Sequence, residues 1–422
     1  MYKMNLTNEQ QKAIDAFFSF LLSEDKNFYL FGSAGTGKSF LIKYFLDSVL
    51  DQYRQTNQIY GLNDPLDHVI VSAPTHKAVE ALHDKTNKEV ITTFEAIKVR
   101  VKTSGRNVEY IPYGGTPSID ILFIDECSFL SEDLLPYINA CAKKVVYIGD
   151  PYQLIPEKGI NWLKHTSEAC ILTEVKRTSN QDIMDMSDYL RNLLISGSKD
   201  KINVTLDSDC IHVLNDDQMI KNLKNTFKSS DTAGKVLCFT NESVLNYLKY
   251  IQSTIRKDNR DRIPKNIYIN NAFLETSQNR KFYPETPIKL IKFIEDREFR
   301  GIGYEVWNCE VYGRIHTLPI VKNANELKLA LRKFWDNTDV YDTLKKGFVD
   351  LRQPWASTIH KSQGSSYDTV FIDLNSFRVC KNLETAIRLL YVAVSRAVDK
   401  VYLYGSLPKR FGSIKDANAL SI

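Results

Sequence analysis

Short apolar runs recur along the first half of the chain, and longer amphipathic stretches separate them. The runs are apolar at every position, which is typical of strands that are covered on both faces of a parallel sheet. The amphipathic stretches have the spacing of helices that bury one face. The sequence therefore predicts an α/β core of the doubly wound type. Its strands are expected at residues 28–31, 69–71, 121–124 and 145–148, and its clearest helices at 39–53 and 131–142.

A second series of the same kind follows the first. Strand-like runs at 210–214 and 236–239 precede a helical pattern over 242–257. The series then stops, and it resumes near the carboxyl end with a run at 369–373 and a helical pattern over 384–397 that leads into a last short run. The sequence therefore predicts a second α/β core that is assembled from two separated parts of the chain.

Two segments interrupt these cores. The first, about residues 92–118, is rich in basic and aromatic residues and favours a small β-hairpin. The second, residues 258–350, has β-like runs at 288–293 and 304–321 before a charged helical pattern over 324–334. We therefore expect one inserted segment in each core.

The composition narrows the class of protein. Of 422 residues, 43% are hydrophobic and 25% are charged, which excludes a wholly disordered chain, a collagen-like fibre and a small disulfide scaffold. No apolar run approaches the roughly 18–20 residues that span a bilayer, so no membrane partner is expected. The polar stretch 1–12 lacks the apolar segment of a signal peptide, and we therefore expect a cytoplasmic protein.

The charge and the cysteines say little on their own. The net charge is +4, and residues 256–300 carry it, with eleven lysines and arginines against seven acids. This excess fits a groove that tracks a nucleic-acid backbone, and it fits an ordinary solvated surface equally well.

Seven scattered cysteines without a Cys-x-x-Cys pair favour reduced, mostly buried thiols over disulfides or a zinc site.

The most specific signal is a glycine-rich sequence between the first predicted strand and the next helix. It matches G-x-x-x-x-G-K-[ST], the phosphate-binding loop of nucleoside triphosphatases. Glycines let backbone N–H groups converge on phosphate oxygens, and the helix amino terminus adds a partial positive charge. We expect Lys38 to contact the β- and γ-phosphates of ATP and the Ser39 hydroxyl to bind Mg²⁺. The loop consists of Gly32, Ser33, Ala34, Gly35, Thr36, Gly37, Lys38 and Ser39.

The apolar run at 121–124 ends in two carboxylates, Asp125 and Glu126. By itself, an Asp-Glu pair is a common start of a helix. After a phosphate loop and a buried strand, the pair indicates a metal ligand and a general base. We expect Asp125 to hold Mg²⁺ through water and Glu126 to polarise the water that attacks the γ-phosphate.

Three further polar residues are candidates for the same site. Gln153 follows the strand predicted at 145–148. In this position it could contact the γ-phosphate or the attacking water, and the alternative is that it only caps a turn. Arg177 and Arg396 are candidates to stabilise the transition state of phosphoryl transfer. Arg396 is expected on the last helix of the second core, within an apolar stretch, from which it would reach the nucleotide across a cleft.

In their order along the chain, these motifs resemble those of the superfamily 1 helicases, in particular the RecD-like (superfamily 1B) branch and its small phage members. Several of the motifs are weak individually, but their order and spacing together are highly specific. Besides the phosphate loop, the matching sequences are LTNEQ at 6–10, APTHKAV at 73–79, TTFE at 92–95, DECS at 125–128, GDPYQLIP at 149–156, LTEVKR at 172–177, FTNE at 239–242, STIHKSQG at 357–364 and LYVAVSRA at 390–397.

The resemblance implies two RecA-like cores, residues 1–195 and residues 196–257 together with 351–422. It implies that the segment 95–118 forms a pin that splits duplex DNA and that 258–350 folds into an SH3-like β-rich domain. The implied activity is ATP-dependent 5′→3′ translocation on single-stranded DNA with unwinding of the duplex, in phage replication or recombination.

The resemblance also implies roles for single residues and partners. Gln10 would recognise adenine. At Thr93-Phe94 the family usually has an Ile-His pair, so Phe94 either stacks on a base or belongs to the core. The implied partners are single-stranded and forked DNA and replication or recombination proteins such as a single-stranded-DNA-binding protein, in the cytoplasm of a bacterial host if the gene belongs to a phage. The implied DNA contacts are Pro74, Thr75, His76, Thr93, Phe94, Thr358 and His360.

Two other functions are weighed against this one. The same motifs would serve a single-stranded-DNA-stimulated ATPase that translocates and remodels protein–DNA complexes without separating strands. A binding module with a relic nucleotide site is disfavoured, because Lys38, Glu126 and Arg396 are all intact.

Overall fold

The computed structural model contains two α/β cores, each built on a parallel β-sheet, and a third sheet that is antiparallel. The predicted fold class, two α/β cores with parallel sheets, is confirmed. The residues that the structure describes are 6–61, 66–104, 107–156, 158–174, 180–197, 200–228, 234–257, 267–270, 274–275, 281–282, 286–311 and 313–417.

The first core has a six-stranded sheet. Its strands are β1 (Asn27–Gly32), β2 (Val69–Ala73) and β3 (Ile91–Thr92), then, after a hairpin of β4 (Val99–Ser104) and β5 (Asn107–Pro112), β6 (Ile119–Ile124), β7 (Ala142–Gly149) and β8 (Cys170–Leu172). The spatial order is β3-β2-β6-β7-β1-β8, and all pairs are parallel. Consecutive residues of β1 and β6 are buried, as the continuous apolar runs predict.

Helices cover both faces of this sheet. They are α1 (Asn8–Leu22), α2 (Lys38–Tyr44), α3 (Leu50–Tyr60), α4 (His76–Thr86), α5 (Thr93–Ala96) and α6 (Leu135–Cys141). The first four share one hydrophobic cluster, in which Phe17 stacks on Phe45 with ring centroids 4.1 Å apart. α5, α6 and Trp162 pack on the opposite face. The carboxyl ends of the strands are left free to carry loops.

The helix predicted over 39–53 is longer and less regular than expected. α2 passes through a π-helical turn at Phe45–Val49 and continues as α3 to Tyr60. The residues after Tyr53 are mostly polar and exposed, so their pattern gave little sign of a helix. The helix ends where Gly61 adopts a φ of +67°.

The hairpin of β4 and β5 lies within the inserted segment predicted at 92–118. Its strands pair from Val99–Pro112 to Ser104–Asn107. Val101, Val108 and Ile111 expose more than a third of their surface. The tip at residues 105–106 lies outside the described residues, and the role of the hairpin as a pin stays a prediction.

The second core begins earlier than predicted. Its first elements are α7 (Gln181–Ile195), β9 (Ile202–Leu206), β10 (Ile211–Leu214), α8 (Asp216–Phe227), β11 (Gly234–Cys238) and α9 (Asn241–Tyr250). The predicted boundary at residue 195 assigns α7 to the first core, but its apolar face packs into the hydrophobic cluster of the second. That face consists of Ile183, Met186, Leu190 and Leu194.

The segment predicted as an insertion at 258–350 holds most of the antiparallel sheet. Its described elements are β12 (Ile267–Asn270), β13 (Leu274–Glu275), β14 (Lys281–Phe282), β15 (Pro287–Phe299), β16 (Ile302–Val311), β17 (Arg314–Val321), α10 (Ala324–Lys333) and α11 (Thr338–Lys346). The last strand of the sheet, β18 (Leu351–Arg352), directly follows the segment. The sheet order is β17-β16-β15-β12-β18. The run predicted at 304–321 is two strands, because Gly313 adopts a φ of +71° and the chain reverses there. The SH3-like assignment stays a prediction.

The chain then returns to the second core through β19 (Ala356–Thr358), β20 (Tyr367–Asp373), α12 (Leu383–Val394), β21 (Ala397–Tyr404) and β22 (Gly412–Asp416). The sheet order is β10-β21-β20-β11-β19, and all pairs are parallel. α7 and α12 pack together against this sheet.

α12 ends three residues before the predicted end at residue 397. The Tyr367 N–H donates to the Arg396 carbonyl at 2.9 Å, and Ala397 already pairs with Tyr367 in the sheet. Sheet pairing therefore takes the backbone groups that a longer helix needs. The sequence predicts Arg396 on this helix, but the residue lies in the turn between α12 and β21. That part of the prediction is wrong.

Two general expectations concern membranes and thiols. Among the described residues, no helix combines the length and the apolar character that crossing a membrane requires.

Six of the seven cysteines are buried, and Cys170 is half-buried. Burial raises the pKa of the Cys127 and Cys238 thiols well above the usual value, so these thiols stay protonated near neutral pH.

Candidate nucleotide site and nucleic-acid interface

A cavity of about 830 Å³ lies between the two cores. The first core contributes Asp125, Glu126 and Gln153, and the second contributes Gln363, Gly364 and Arg396. The phosphate-loop residues that line the cavity are Ala34, Gly35, Gly37, Lys38 and Ser39. The first-core residues come from the carboxyl ends of β1, β6 and β7, where the loops of a parallel sheet meet. The structure therefore brings most of the predicted nucleotide-site residues into one cavity.

The phosphate loop joins β1 to α2. The Lys38 ammonium donates hydrogen bonds to the carbonyls of Gly32 and Ser33 at 2.7 and 2.9 Å, so it lies over the loop. Gly37 has a φ of +93°, and a Cβ at this position would come within 2.6 Å of the Gln10 amide nitrogen. The positive φ favours glycine at this position, and a larger residue would also displace the Gln10 amide.

Gln10 is buried beside this loop at the start of α1. Its side-chain oxygen accepts from the Thr7 N–H at 3.1 Å, and the Thr7 hydroxyl accepts from the Gln10 N–H, which forms a capping box. Its amide nitrogen donates to the Thr36 carbonyl at 3.4 Å. Gln10 therefore supports the phosphate loop, and its role in recognising adenine stays a prediction.

Asp125 and Glu126 follow β6 and line the cavity. Burial and the neighbouring Glu126 carboxylate raise the pKa of Asp125 to about 6, and the Lys38 ammonium opposes this shift. Glu126 has φ +51° and ψ +42°, a left-handed conformation that costs a non-glycine residue free energy. The surrounding structure holds this conformation at the residue predicted to be the general base.

The donors around Asp125 fit Mg²⁺. The Ser39 hydroxyl and the Asp125 carboxylate are hard oxygen ligands, the kind that Mg²⁺ prefers. No group of three or more His, Cys, Asp or Glu side chains in the described part of the chain could form a complete metal site. This sparse set is suited to Mg²⁺, which takes one or two protein ligands and fills its remaining positions with phosphate oxygens and water.

Gln153 lies where the loop after β7 meets the second core. Its amide nitrogen donates to Asp150 at 3.3 Å, and its side-chain oxygen accepts from the Gln363 amide of the second core at 3.3 Å. Gln153 is 3% exposed and still lines the cavity. The structure thus favours the interpretation of Gln153 as a site residue over that of a simple turn cap.

Two residues of α12 hold the same loop. The Arg388 guanidinium donates to the carbonyls of Pro151 and Gln153, both at 2.8 Å, and to Glu384 at 3.0 Å. The Tyr391 hydroxyl donates to Asp150 at 2.8 Å. Residues 149–156 resemble motif III of the superfamily 1 helicases, and we therefore call the contacts of Gln363, Arg388 and Tyr391 with residues 150–153 the motif III interface.

Arg396 is almost completely buried and lines the cavity. Its guanidinium donates to the Val392 carbonyl at 3.1 Å, the Ser365 carbonyl at 3.2 Å and the Ser395 hydroxyl at 2.9 Å. Burial lowers the pKa of this guanidinium, whereas the Glu126 carboxylate across the cleft raises it. An arginine keeps its charge despite such a shift, so Arg396 brings a positive charge to the cavity. Arg177 lies outside the described residues.

The predicted DNA contacts fall on loops of both cores. Thr75 is exposed, Pro74 and His76 are half-buried, and all three lie at the start of α4. His360 is exposed beside Phe239, with ring centroids 5.9 Å apart. Lys77 connects these loops, because its ammonium donates to Ser365 and to the Lys361 carbonyl of the second core.

Three of the predicted DNA contacts are less accessible. Thr93 is completely buried, and its hydroxyl lies 3.3 Å from that of Ser72, so its side chain does not reach the surface in this conformation. Thr358 is 7% exposed. Phe94 is half-buried and lies parallel to Tyr110 of the hairpin, with centroids 6.4 Å apart. Phe94 thus joins the core in part, and its stacking on a base stays a prediction.

Sequence reasoning missed the residues that join the cores. These are Lys77, Gln363, Ser365, Arg388 and Tyr391. Arg388 carried a signal, because a charged residue within an otherwise apolar helix needs a buried partner. Lys77, Gln363 and Tyr391 lie inside recognised motifs, and Ser365 directly follows one, but their partners are more than 200 positions away in the chain.

Comparison with protein families identifies both cores. Residues 5–216, half of the chain, match the AAA domain, and residues 354–404 match the UvrD-like helicase C-terminal domain. The first match contains the phosphate loop, Glu126 and Gln153. The second contains His360 and Arg396. The two matches thus include the residues that meet at the cavity.

Individual proteins resemble the chain along most of its length. The ATP-dependent DNA helicase dda of Enterobacteria phage T4 is 26% identical, over 93% of this chain and 97% of its own. An uncharacterised protein of Acanthamoeba polyphaga mimivirus is 22% identical, over 89% of this chain and 94% of its own. A solved structure of two coordinating Pif1 helicases at forked DNA has a TM-score of 0.51 at 17% identity, covering 99% of this chain and 96% of that one. At that identity the structural likeness concerns the fold alone.

Proposed function

Since the chain belongs to the superfamily 1B helicases, we propose that it is an ATP-dependent DNA helicase that moves 5′→3′ on single-stranded DNA and unwinds the duplex ahead of it. One observation carries the proposal. Lys38 and Glu126 of the first core and Arg396 of the second line the same cavity. A nucleotide bound there contacts both cores, so its hydrolysis changes how they fit together.

The residues of the cavity divide the work of phosphoryl transfer. Lys38 exchanges its contacts with the loop carbonyls for the β- and γ-phosphates, and Glu126 orients and deprotonates the attacking water. Arg396 stabilises the charge that develops on the transferred phosphoryl group. Bound at Ser39 and Asp125, Mg²⁺ would neutralise the charge of the phosphates.

Movement along DNA follows from binding that alternates between the cores. Thr75 and His76 would grip the backbone from the first core, and Thr358 and His360 from the second. A cycle of closure on ATP and opening after hydrolysis moves one grip relative to the other, provided that each nucleotide state prefers one arrangement. The buried position of Thr358 limits its contact to what a small rearrangement of the loop exposes.

The finer parts of the proposal rest on resemblance. The 5′→3′ direction comes from the RecD-like motifs, and the hairpin of β4 and β5 is proposed as the pin that separates strands. A role in phage replication or recombination, beside proteins such as a single-stranded-DNA-binding protein, is suggested by the likeness to a helicase of phage T4.

The first test measures ATP hydrolysis with and without single-stranded DNA. We expect stimulation by oligo(dT), no turnover in Lys38→Ala, and about a 10³-fold loss of rate in Arg396→Ala with nucleotide binding retained. Arg54→Ala, at an exposed pair with Asp51, is the control. Normal turnover in Arg396→Ala would contradict the assignment of this arginine.

The second test uses forked duplexes with a single 5′ or 3′ tail. We expect unwinding of the 5′-tailed fork and little unwinding of the 3′-tailed fork. Translocation on the 5′ tail without strand separation would instead support the remodelling ATPase. Unwinding of the 3′-tailed fork alone would overturn the proposed direction.

A further inference from the structure

Lys77 spans the cleft between the two cores at the edge of the cavity. It belongs to the first turn of α4. Its ammonium donates to the Ser365 hydroxyl at 2.8 Å and to the Lys361 carbonyl at 3.4 Å, and both acceptors belong to the second core. We call these two contacts the Lys77 bridge.

Ser365 in turn holds Arg396. The Ser365 carbonyl accepts from the Arg396 guanidinium at 3.2 Å. Two residues later, the Tyr367 N–H donates to the Arg396 carbonyl at 2.9 Å. The segment 365–367 therefore lies against both the side chain and the backbone of Arg396. A displacement of Ser365 moves an acceptor that orients the guanidinium.

The Lys77 bridge lies between the predicted DNA loops and the nucleotide cavity. On the side of the first core, Thr75 and His76 directly precede Lys77 in the chain. On the side of the second core, Lys361 directly follows His360 in the chain. The Lys361 N–H donates to the Thr358 hydroxyl at 3.4 Å. Lys77 itself lines the cavity. One side chain thus touches the elements that would hold DNA in both cores.

We propose that Lys77 and Ser365 are positioning residues through which single-stranded DNA sets the orientation of Arg396 and thereby raises the rate of ATP hydrolysis. A strand that contacts both loops favours the arrangement in which the Lys77 bridge is made. The bridge then fixes Ser365, and Ser365 fixes the guanidinium. This inference rests on the proposed function, because it concerns the DNA-stimulated rate of the same site.

The test begins with Ser365→Ala, which removes the hydroxyl that accepts from Lys77 and keeps the carbonyl that accepts from Arg396. We expect the oligo(dT)-stimulated kcat to fall about tenfold, the usual effect of losing one hydrogen bond to a charged group, with the KM for ATP unchanged. Ser365→Thr keeps a hydroxyl and is expected to restore most of the rate. Wild-type stimulation in Ser365→Ala would overturn the proposal.

Lys77→Met separates the bridge from a simple contact with DNA. Its loss of stimulated rate is expected to match that of Ser365→Ala, and the double variant is expected to be no slower than either single variant. If Lys77→Met weakens oligo(dT) binding in a fluorescence anisotropy titration while Ser365→Ala has a normal rate, Lys77 acts on the DNA phosphate alone and the proposal is wrong.

The matched control is Lys88→Met. Lys88 follows α4 and pairs with Asp47 within the first core, so this change removes a lysine of the same region without touching the bridge. We expect wild-type stimulation in this variant. A rate as low as that of Lys77→Met would attribute the effect to lost positive charge and contradict the proposal.

The wild-type protein separates this inference from the proposed function. If oligo(dT) does not stimulate its ATPase, the proposed function fails, and the inference fails with it. If oligo(dT) stimulates the wild type and Ser365→Ala equally, only the inference fails.

Discussion

Two contacts between the cores differ in burial and in number of partners. At the motif III interface, Arg388, Tyr391 and Gln363 hold a loop of the first core with four hydrogen bonds of 2.8–3.3 Å, and all three are less than 9% exposed. At the Lys77 bridge, one half-buried lysine reaches two acceptors. The first contact resembles the interior of a domain, and the second resembles a surface contact.

Hydrophobic packing strengthens the difference. Tyr152 and Leu154, which follow β7 of the first core, belong to the same hydrophobic cluster as α7 and α12 of the second. The rings of Tyr152 and Tyr391 meet edge to face at 6.3 Å. Separating the cores here exposes apolar surface as well as polar groups, which costs far more free energy than breaking the Lys77 bridge.

The difference assigns separate roles to the two contacts. If the cores rotate during the proposed ATPase cycle, a contact that is costly to break is expected to persist, so we expect the motif III interface to act as the pivot. A contact that costs little free energy to break can form and dissociate in each cycle of ATP hydrolysis. We therefore expect changes at the interface to affect stability first, and changes at the bridge to affect the DNA-stimulated rate with little effect on stability.

Arg388→Met is expected to have the largest effect. It leaves the carbonyls of Pro151 and Gln153 without their donor, and we expect the free energy of unfolding to fall by about 3 kcal/mol. Urea denaturation monitored by tryptophan fluorescence measures the change. The control, Arg54→Met at an exposed ion pair, is expected to change it by less than about 0.5 kcal/mol. Equal stability of both variants would remove the pivot from this interface.

Tyr391→Phe is expected to have the next largest effect. It removes only the hydroxyl that donates to Asp150, in a site where Asp150 keeps its bonds from the Gln153 amide and the Tyr152 N–H. We expect a loss of about 1–2 kcal/mol in the same urea experiment. Tyr404→Phe, whose hydroxyl donates to the exposed Asp216, is the matched control and is expected to lose less.

Gln363→Ala tests the part of the interface that reaches the cavity. It removes the hydrogen bond to Gln153, and we expect a loss of stability of about 1 kcal/mol or less together with a several-fold lower kcat for ATP. Steady-state hydrolysis with saturating oligo(dT) measures the rate. An unchanged kcat would show that the orientation of Gln153 does not depend on the second core.

Ser365→Ala is expected to have the smallest effect on stability. The hydroxyl is half-buried and has one strong partner, so we expect a change within about 0.5 kcal/mol even though the stimulated rate falls. A loss of stability as large as that of Tyr391→Phe would place the Lys77 bridge in the same class as the motif III interface and abolish the contrast between them.

The sequence predicted those parts of the molecule that depend on local pattern. The apolar strands, the phosphate loop between β1 and α2, and the acidic pair after β6 follow from continuous hydrophobicity and from a motif of fixed spacing. The structure also brings Arg396 to the cavity, which the sequence anticipated from the apolar stretch around it.

The remainder depends on contacts between distant residues. The apolar face of α7 has the same period whichever core it covers, so sequence alone assigned it to the nearer one. Arg396 was expected on a helix because the residues around it continue a helical pattern, but pairing with Tyr367 ends the helix first. Lys77 looked like an ordinary motif residue because its acceptor is 288 positions away.

The packing of Tyr152 and Leu154 bears on whether the protein can be taken apart. Cutting the chain at residue 174 yields a fragment with a complete six-stranded sheet, yet two of its large side chains would have lost their surroundings. We expect such a fragment to self-associate, because the apolar surface that it exposes would be buried again by contact with other copies. The two cores are therefore not interchangeable modules, and joining either one to a foreign partner would require redesigning the apolar contact between them.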